Sequence, residues 1–214
     1  NRSTWDQLDS VLDYAYSFAD GKKLKVVRTF IDSGGHFSSS VYDYCGRNIA
    51  KQRFAIKGKG GIPGMPLYGN KLGKSEDAKC PLVILGVDDG KEMVLSRLSI
   101  AEPGPKYFHF PLDEEGIAQR GYDNLYFKGI ISEHRKRIKK NGIFREIWEP
   151  TQGVRNEPLD LRVYNLACMK SLPQGWAEKS RKMIQGVKSL KKSRKRTGGK
   201  ENISTVKRRT VNIW

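Results

Sequence analysis

Three groups of carboxylates stand where this chain should turn. Asp32 closes the run LKVVRTFI (Leu24 to Ile31) and is followed by Ser33, Gly34 and Gly35. Asp88 and Asp89 close a second apolar run, PLVILGV. Asp160 falls within the first two turns expected of RNEPLDLRVYNLACM (Arg155 to Met169). Such a set suits phosphodiester hydrolysis by two Mg²⁺ or Mn²⁺ ions. Hard divalent cations take oxygen ligands. One carboxylate bridges both ions, the others hold one each, and the ions flank the scissile phosphate. The small residues after Asp32 leave room for a ligand to approach. Each acid taken singly also suits a blander role: a helix cap or turn for Asp32, a strand-ending turn for Asp88 or Asp89, and the positive end of a helix dipole for Asp160.

Leu24 to Ile31 alternates β-branched and aromatic residues with apolar groups on both faces, predicting a buried strand ending at Asp32. Pro81 to Asp89 predicts a second buried strand, followed by a helix over Lys91 to Leu98. In open α/β sheets ligands bind at the carboxyl ends of the strands, where both acids fall. Asn156, Glu157 and Pro158 predict the start of a helix whose apolar stripe is Leu159, Val163, Leu166 and Ala167. Around these, Thr4 to Ala19 has helical periodicity, with Asp6, Asp9 and Asp13 on its opposite, solvated face. Ser38 to Cys45 reads as a helix, Gln52 to Lys57 as a short strand, and Gly58 to Gly73 as a long Gly- and Pro-rich loop. Lys57, Lys59 and Lys71 in and beside that loop are placed to contact a DNA backbone. Tyr107 to Phe110 reads as a short strand or an aromatic segment on the core. Tyr122 to Ile138 reads as a helix running into the basic HRKRIKK, and Ile143 to Trp148 as an edge strand.

The chain has 214 residues and a net charge of +17, from 40 Lys/Arg and 23 Asp/Glu. Ser171 to Trp214 carries 13 Lys/Arg against 2 Asp/Glu, most of that excess. So basic a chain is expected to meet a polyanion. Two parts are expected: an α/β domain over residues 1–170, and a basic, partly disordered tail over residues 171–214 that ends in VNIW. No apolar run approaches the length of a membrane span, and no signal peptide is visible at the N-terminus. Cys45, Cys80 and Cys168 form no CxxC pair, which argues for reduced thiols rather than zinc or a disulfide framework. The chain lacks an initiator Met, as a fragment of a longer protein would.

Five motifs, IDSGGH with VYDYC, IKGKGG, LGVDDGKEMVLSRL, KYFHFP and RNEPLDLRVYNLA, occur in an order and spacing that resembles the nuclease domain of the large terminase subunit of tailed phages, in the lambda-like branch. The resemblance covers most of Leu24 to Met169, and RNEPLD is its most specific part. It implies an RNase H-like fold close to RuvC resolvases, with a mixed central sheet flanked by helices. It implies an endonuclease that cuts concatemeric viral double-stranded DNA during packaging, with metal-binding acids at Asp32, Asp88 and Asp160. Asp89 stays open as the alternative to Asp88. The portal and the small terminase subunit would be partners of the full protein, and the host cytoplasm its setting. No Walker A or Walker B pattern occurs in this chain, so the ATPase half of the family is not expected in it. The runner-up readings are a DNA- or portal-binding packaging module without catalysis, and a RuvC-like junction resolvase.

Overall fold

The computed structural model describes residues 3–17, 21, 23–69, 72–75, 80–110, 121–176 and 178. Lys71 and the basic run beyond residue 178 lie outside the described residues, and with them the expectations placed on the loop lysine and on nearly all of the tail.

The elements that carry the site are β3 (Thr29–Asp32), β4 (Arg53–Lys59), β5 (Leu72–Lys74) and β6 (Pro81–Gly86). They follow two short strands, β1 (Tyr16–Ser17) and β2 (Lys23–Leu24), which pair with each other. The central sheet has the order β3-β4-β6-β5; the first three strands are parallel and β5 is antiparallel. Alternation along the strands divides the apolar groups between two faces. Ile56, Val83 and Leu85 meet Val94 of α3 (Val87–Leu98) and Leu159, Val163, Leu166 and Ala167 of α5 (Glu157–Lys170). Ala55 and Leu82 meet Val41, Tyr42, Tyr44 and Cys45 of α2 (Ser38–Arg47), with Trp5 and Leu8 of α1 (Thr4–Leu12) packed outside them. The result is a mixed sheet flanked by helices, as the sequence predicts at that level. Gly90 lets α3 and α5 cross closely: a Cβ there would lie 2.5 Å from Val163 Cγ1.

The first strand is shorter than its sequence suggests. Only Thr29–Asp32 joins the sheet, and Leu24, Val26 and Val27 are exposed. Thr29 pairs with Arg53, the first residue of β4, so residues upstream find no partner in the central sheet, and Lys23–Leu24 pair with β1 instead. The first helix also stops early, at Leu12. Its acids do not form a merely solvated face. Asp9 and Asp13 both bond the guanidinium of Arg53, which is only 2% exposed, and Asp9 also accepts from the Tyr44 hydroxyl.

The second apolar run ends as a strand at Gly86, and α3 begins at once, so Asp88 and Asp89 lie in the first turn of a helix. A Cβ on Gly86 would sit 2.5 Å from the Met65 carbonyl oxygen, because the loop after β4 crosses the strand end there. Acids at a helix N-terminus complement its dipole. Tyr107 to Phe110 forms no strand; Phe108 packs against the core. The helix expected over Tyr122 to Ile138 ends at Ile130 as α4 (Asn124–Ile130), and the basic run becomes β7 (Glu133–Lys140). It pairs antiparallel with β8 (Ile143–Pro150) through Asn141-Gly142, both with positive φ (52° and 80°). A helix would set Arg135 beside Lys139 and Lys136 beside Lys140, like charges that repel at that spacing. Asn-Gly between alternating segments favours the hairpin.

Candidate active site

The carboxyl ends of β3, β4 and β6 lie side by side, since Asp32 pairs with Ile56 and Lys59 with Gly86. Asp32 is exposed at the end of β3. Its Oδ1 accepts from the Gly34 amide at 2.9 Å, and its Oδ2 accepts from the Tyr164 hydroxyl at 3.3 Å. A Cβ on Gly34 would come within 3.2 Å of Oδ1, so a larger residue would crowd the carboxylate. Asp160 stands in the first turn of α5, one turn before Tyr164. The Asn156 side-chain amide donates to Asp160 Oδ2 at 3.1 Å and to Glu133 Oε1 at 2.9 Å. Glu133 Oε2 is paired with Lys91 Nζ at 2.6 Å, and both residues are buried. Asp32, Tyr164, Asp160, Asn156, Glu133 and Lys91 thus form one cluster drawn from β3, α5, β7 and α3.

Its electrostatics are those of crowded carboxylates. The Asp160 carboxyl is raised above the usual carboxylate range, first by burial and then by Glu133, Asp32 and Glu157, against the opposing charge of Lys91. The Tyr164 hydroxyl is pushed up by burial, then by Asp32 and Asp160, so it is neutral and a donor near pH 7.

Asp88 and Asp89 serve the adjoining loop. Asp88 Oδ2 accepts from the Gly61 amide at 2.6 Å, and a Cβ on Gly60 would lie 3.0 Å from its Oδ1. Asp89 Oδ2 accepts from the amide of fully buried Leu67 at 2.8 Å. Gly58 links this loop to the cluster: a Cβ there would sit 2.8 Å from Val87 Cγ1 and 3.6 Å from the Tyr164 hydroxyl. The structure therefore brings Asp160 near enough to Asp32 to feel its charge, with Tyr164 bonded to Asp32 one turn after Asp160, and sets Asp88 beyond Gly58. Among the described residues no three His, Cys, Asp or Glu side chains stand close enough together to hold a metal ion. The donor chemistry nevertheless fits Mg²⁺ or Mn²⁺, since Asp32 and Asp160 offer carboxylate oxygens whose mutual repulsion a divalent cation would relieve.

Residues 1–179 match the family model of the terminase large subunit gpA endonuclease domain. The chain belongs to that family. It is 26% identical over 177 residues to the large terminase subunit of Enterobacteria phage P21 and 24% identical over 178 residues to that of Escherichia phage lambda. Each match covers 79% of this chain and 26% of the relative, so the chain spans about a quarter of the length of these relatives. No solved structure matches it. Among the described residues no helix is long and apolar enough to cross a membrane.

Four residues of this endonuclease domain's cluster, Lys91, Glu133, Asn156 and Tyr164, escape a reading of the sequence. Signals for them exist. Lys91 is a cation at a buried helical position between Gly90 and Val94, Glu133 is the acid heading a basic run, and Asn156 and Tyr164 lie one turn to either side of Asp160. Lys57 and Lys59 lie at the end of β4, where strand alternation puts them on the face that carries α2 rather than the one that carries α5.

Proposed function

We propose that this domain is a divalent-metal-dependent endodeoxyribonuclease that cuts concatemeric viral double-stranded DNA during genome packaging. Beside family membership, one observation carries the reading: Asp32, at the carboxyl end of a parallel strand, accepts from Tyr164, Asp160 stands one turn before Tyr164 on α5, and Asp160 is held above the usual carboxylate range in part by the charge of Asp32. Asp32, Asp160 and Asp88 would hold Mg²⁺ or Mn²⁺ in an RNase H-like arrangement. Two bound ions would supply an activated water and offset charge on the leaving oxygen. The chain's own residues orient the carboxylates. The Gly34 amide and the Tyr164 hydroxyl fix both oxygens of Asp32, and Asn156 fixes one oxygen of Asp160 and leaves the other open. Lys91, paired with Glu133, still offsets part of the repulsion at Asp160. The portal and small terminase subunit are the proposed protein partners, and the host cytoplasm the proposed setting.

The test is direct. With Mg²⁺ or Mn²⁺ the protein should nick and linearise plasmid DNA, and EDTA should stop it. The second reading, a DNA- or portal-binding module without chemistry, draws on the absence of any three converging acids among the described residues. It predicts binding with no cutting under every metal.

Asp88 and Asp89 part in the same assay. Asp88→Asn is expected to lose most cutting while the fold holds. Asp89→Ala frees the buried Leu67 amide. It should lower stability by about 1.5–3 kcal/mol, the range for a hydrogen bond to a charged group, and spare the rate at saturating DNA. Thermal melts beside plasmid cutting check both; the reverse pattern would assign the metal to Asp89.

A further inference from the structure

The β7–β8 hairpin is not needed to build the core. It pairs with no strand of the central sheet, and most of its side chains are exposed. It carries six Lys or Arg against three Glu. Cross-strand pairing sets Arg135 opposite Trp148, Arg137 opposite Glu146 and Lys139 opposite Phe144, and these six share one face by alternation. Arg135 is spent on ion pairs with Glu92 of α3 and Glu146. Arg137 lies 4.4 Å and Lys139 5.6 Å from the centroid of the Phe144 ring, and among the described residues neither has an acidic partner. Phe144 is itself 57% exposed, so two cations are propped outward on an aromatic platform.

We propose that this ribbon is a duplex-DNA contact surface that lays the substrate toward Asp160. The inference rests on the nuclease reading above for its substrate. Charge favours DNA as the occupant, and so does shape: the major groove of B-form DNA admits a two-stranded β-ribbon. Eight residues per strand span roughly 27 Å, comparable to most of one turn of duplex. The base of the ribbon is fixed to the catalytic cluster. Glu133, the first residue of β7, reaches Lys91 and Asn156, and Asn156 reaches Asp160. The Thr151 amide bonds the Ser132 carbonyl at 2.7 Å and closes the open end. A duplex held along the ribbon is therefore in register with the acids, which a surface patch without that link would not ensure.

The experiment compares wild type with the double variant R137Q/K139Q. Binding to a duplex of about three turns is followed by fluorescence anisotropy across a salt series in EDTA, so that nothing is cut. Cutting at subsaturating DNA is then measured with Mn²⁺. Losing two phosphate contacts should reduce the slope of log affinity against log salt by about 2 and weaken binding about 10- to 100-fold at 0.1 M salt. Cutting at subsaturating DNA should fall in step with the lost affinity, and circular dichroism should show an unchanged fold. If the wild type cuts but the variant binds with an unchanged slope and affinity, the ribbon is no DNA surface, its exposed face is left for a protein partner, and the nuclease reading stands. If the variant loses slope and affinity while the wild type never cuts, the ribbon proposal holds and the nuclease reading fails.

Discussion

Asp32→Asn should reduce metal-dependent DNA cutting by on the order of 1,000-fold or more. A metal ion at a phosphoryl centre supplies several kcal/mol of transition-state stabilisation, and each 1.36 kcal/mol is a factor of ten in rate. Asparagine keeps the size of the side chain, its Oδ1 can still accept from the Gly34 amide and its Nδ2 can donate to the Tyr164 hydroxyl oxygen, so the turn after β3 should persist. What it removes is the charge. Asp160→Asn should cost a similar factor for the same reason, and its amide can still accept from Asn156. It also relieves part of the repulsion in the cluster, so this variant should melt no lower than wild type in EDTA. Single-turnover cutting of a labelled duplex, with melts of the same preparations, checks both variants. Full activity in either one would remove that acid from the chemistry.

The largest effect on stability should come from a residue remote from the acids. Arg53→Met is expected to destabilise the domain by about 3 kcal/mol and lower its melting temperature by about 6–12 °C. Breaking a buried ion pair costs about 3–5 kcal/mol because a charge is left uncompensated. Here the abandoned partners, Asp9 and Asp13, keep partial access to water, with side chains 36% and 49% exposed, which favours the lower end. Arg53 also bonds the Tyr44 hydroxyl, and Trp5 stacks on the Tyr44 ring with centroids 4.2 Å apart. One substitution therefore loosens α1 from α2 and β4 together. Lys51 and Arg53 hold the Asp13 carboxyl below the usual carboxylate range. A lowered carboxyl contributes stability above its unfolded-state range, lost as pH falls through the folded-state value. Arg53→Met should leave only the part due to Lys51, so its melting temperature should fall less steeply below pH 4 than that of wild type.

Legibility of this chain in its sequence differs from element to element. Pattern alone places the helix of Leu159 and Val163, the strand of Ile56 and the strand of Val83 and Leu85, because their alternation or helical stripe coincides with real burial. It overextends the strand before Asp32, since Leu24, Val26 and Val27 look like a buried run and only the start of β4 at Arg53 decides where pairing can begin. It mistakes β7 for helix because a run of Lys and Arg has no apolar period to contradict one; the Asn141-Gly142 turn was the deciding local signal. The site divides in the same way. Asp32, Asp88 and Asp160 draw attention as candidates because they stand at element ends. Lys91, Glu133, Asn156 and Tyr164 do not, because each acquires its role from a partner far away in sequence. Asp9 and Asp13 read as solvent-facing for the same reason: their partner, Arg53, lies 44 and 40 residues further along the chain.

Asp32 and Asp160 are proposed to hold a divalent cation. Isothermal titration of Mn²⁺ into the apo protein, with no DNA present, tests it before any cutting is considered. Wild type should take up Mn²⁺ with measurable heat and saturate, while Asp32→Asn and Asp160→Asn should each weaken or abolish that uptake with their folds intact. Equal Mn²⁺ binding by wild type and both variants would contradict the account.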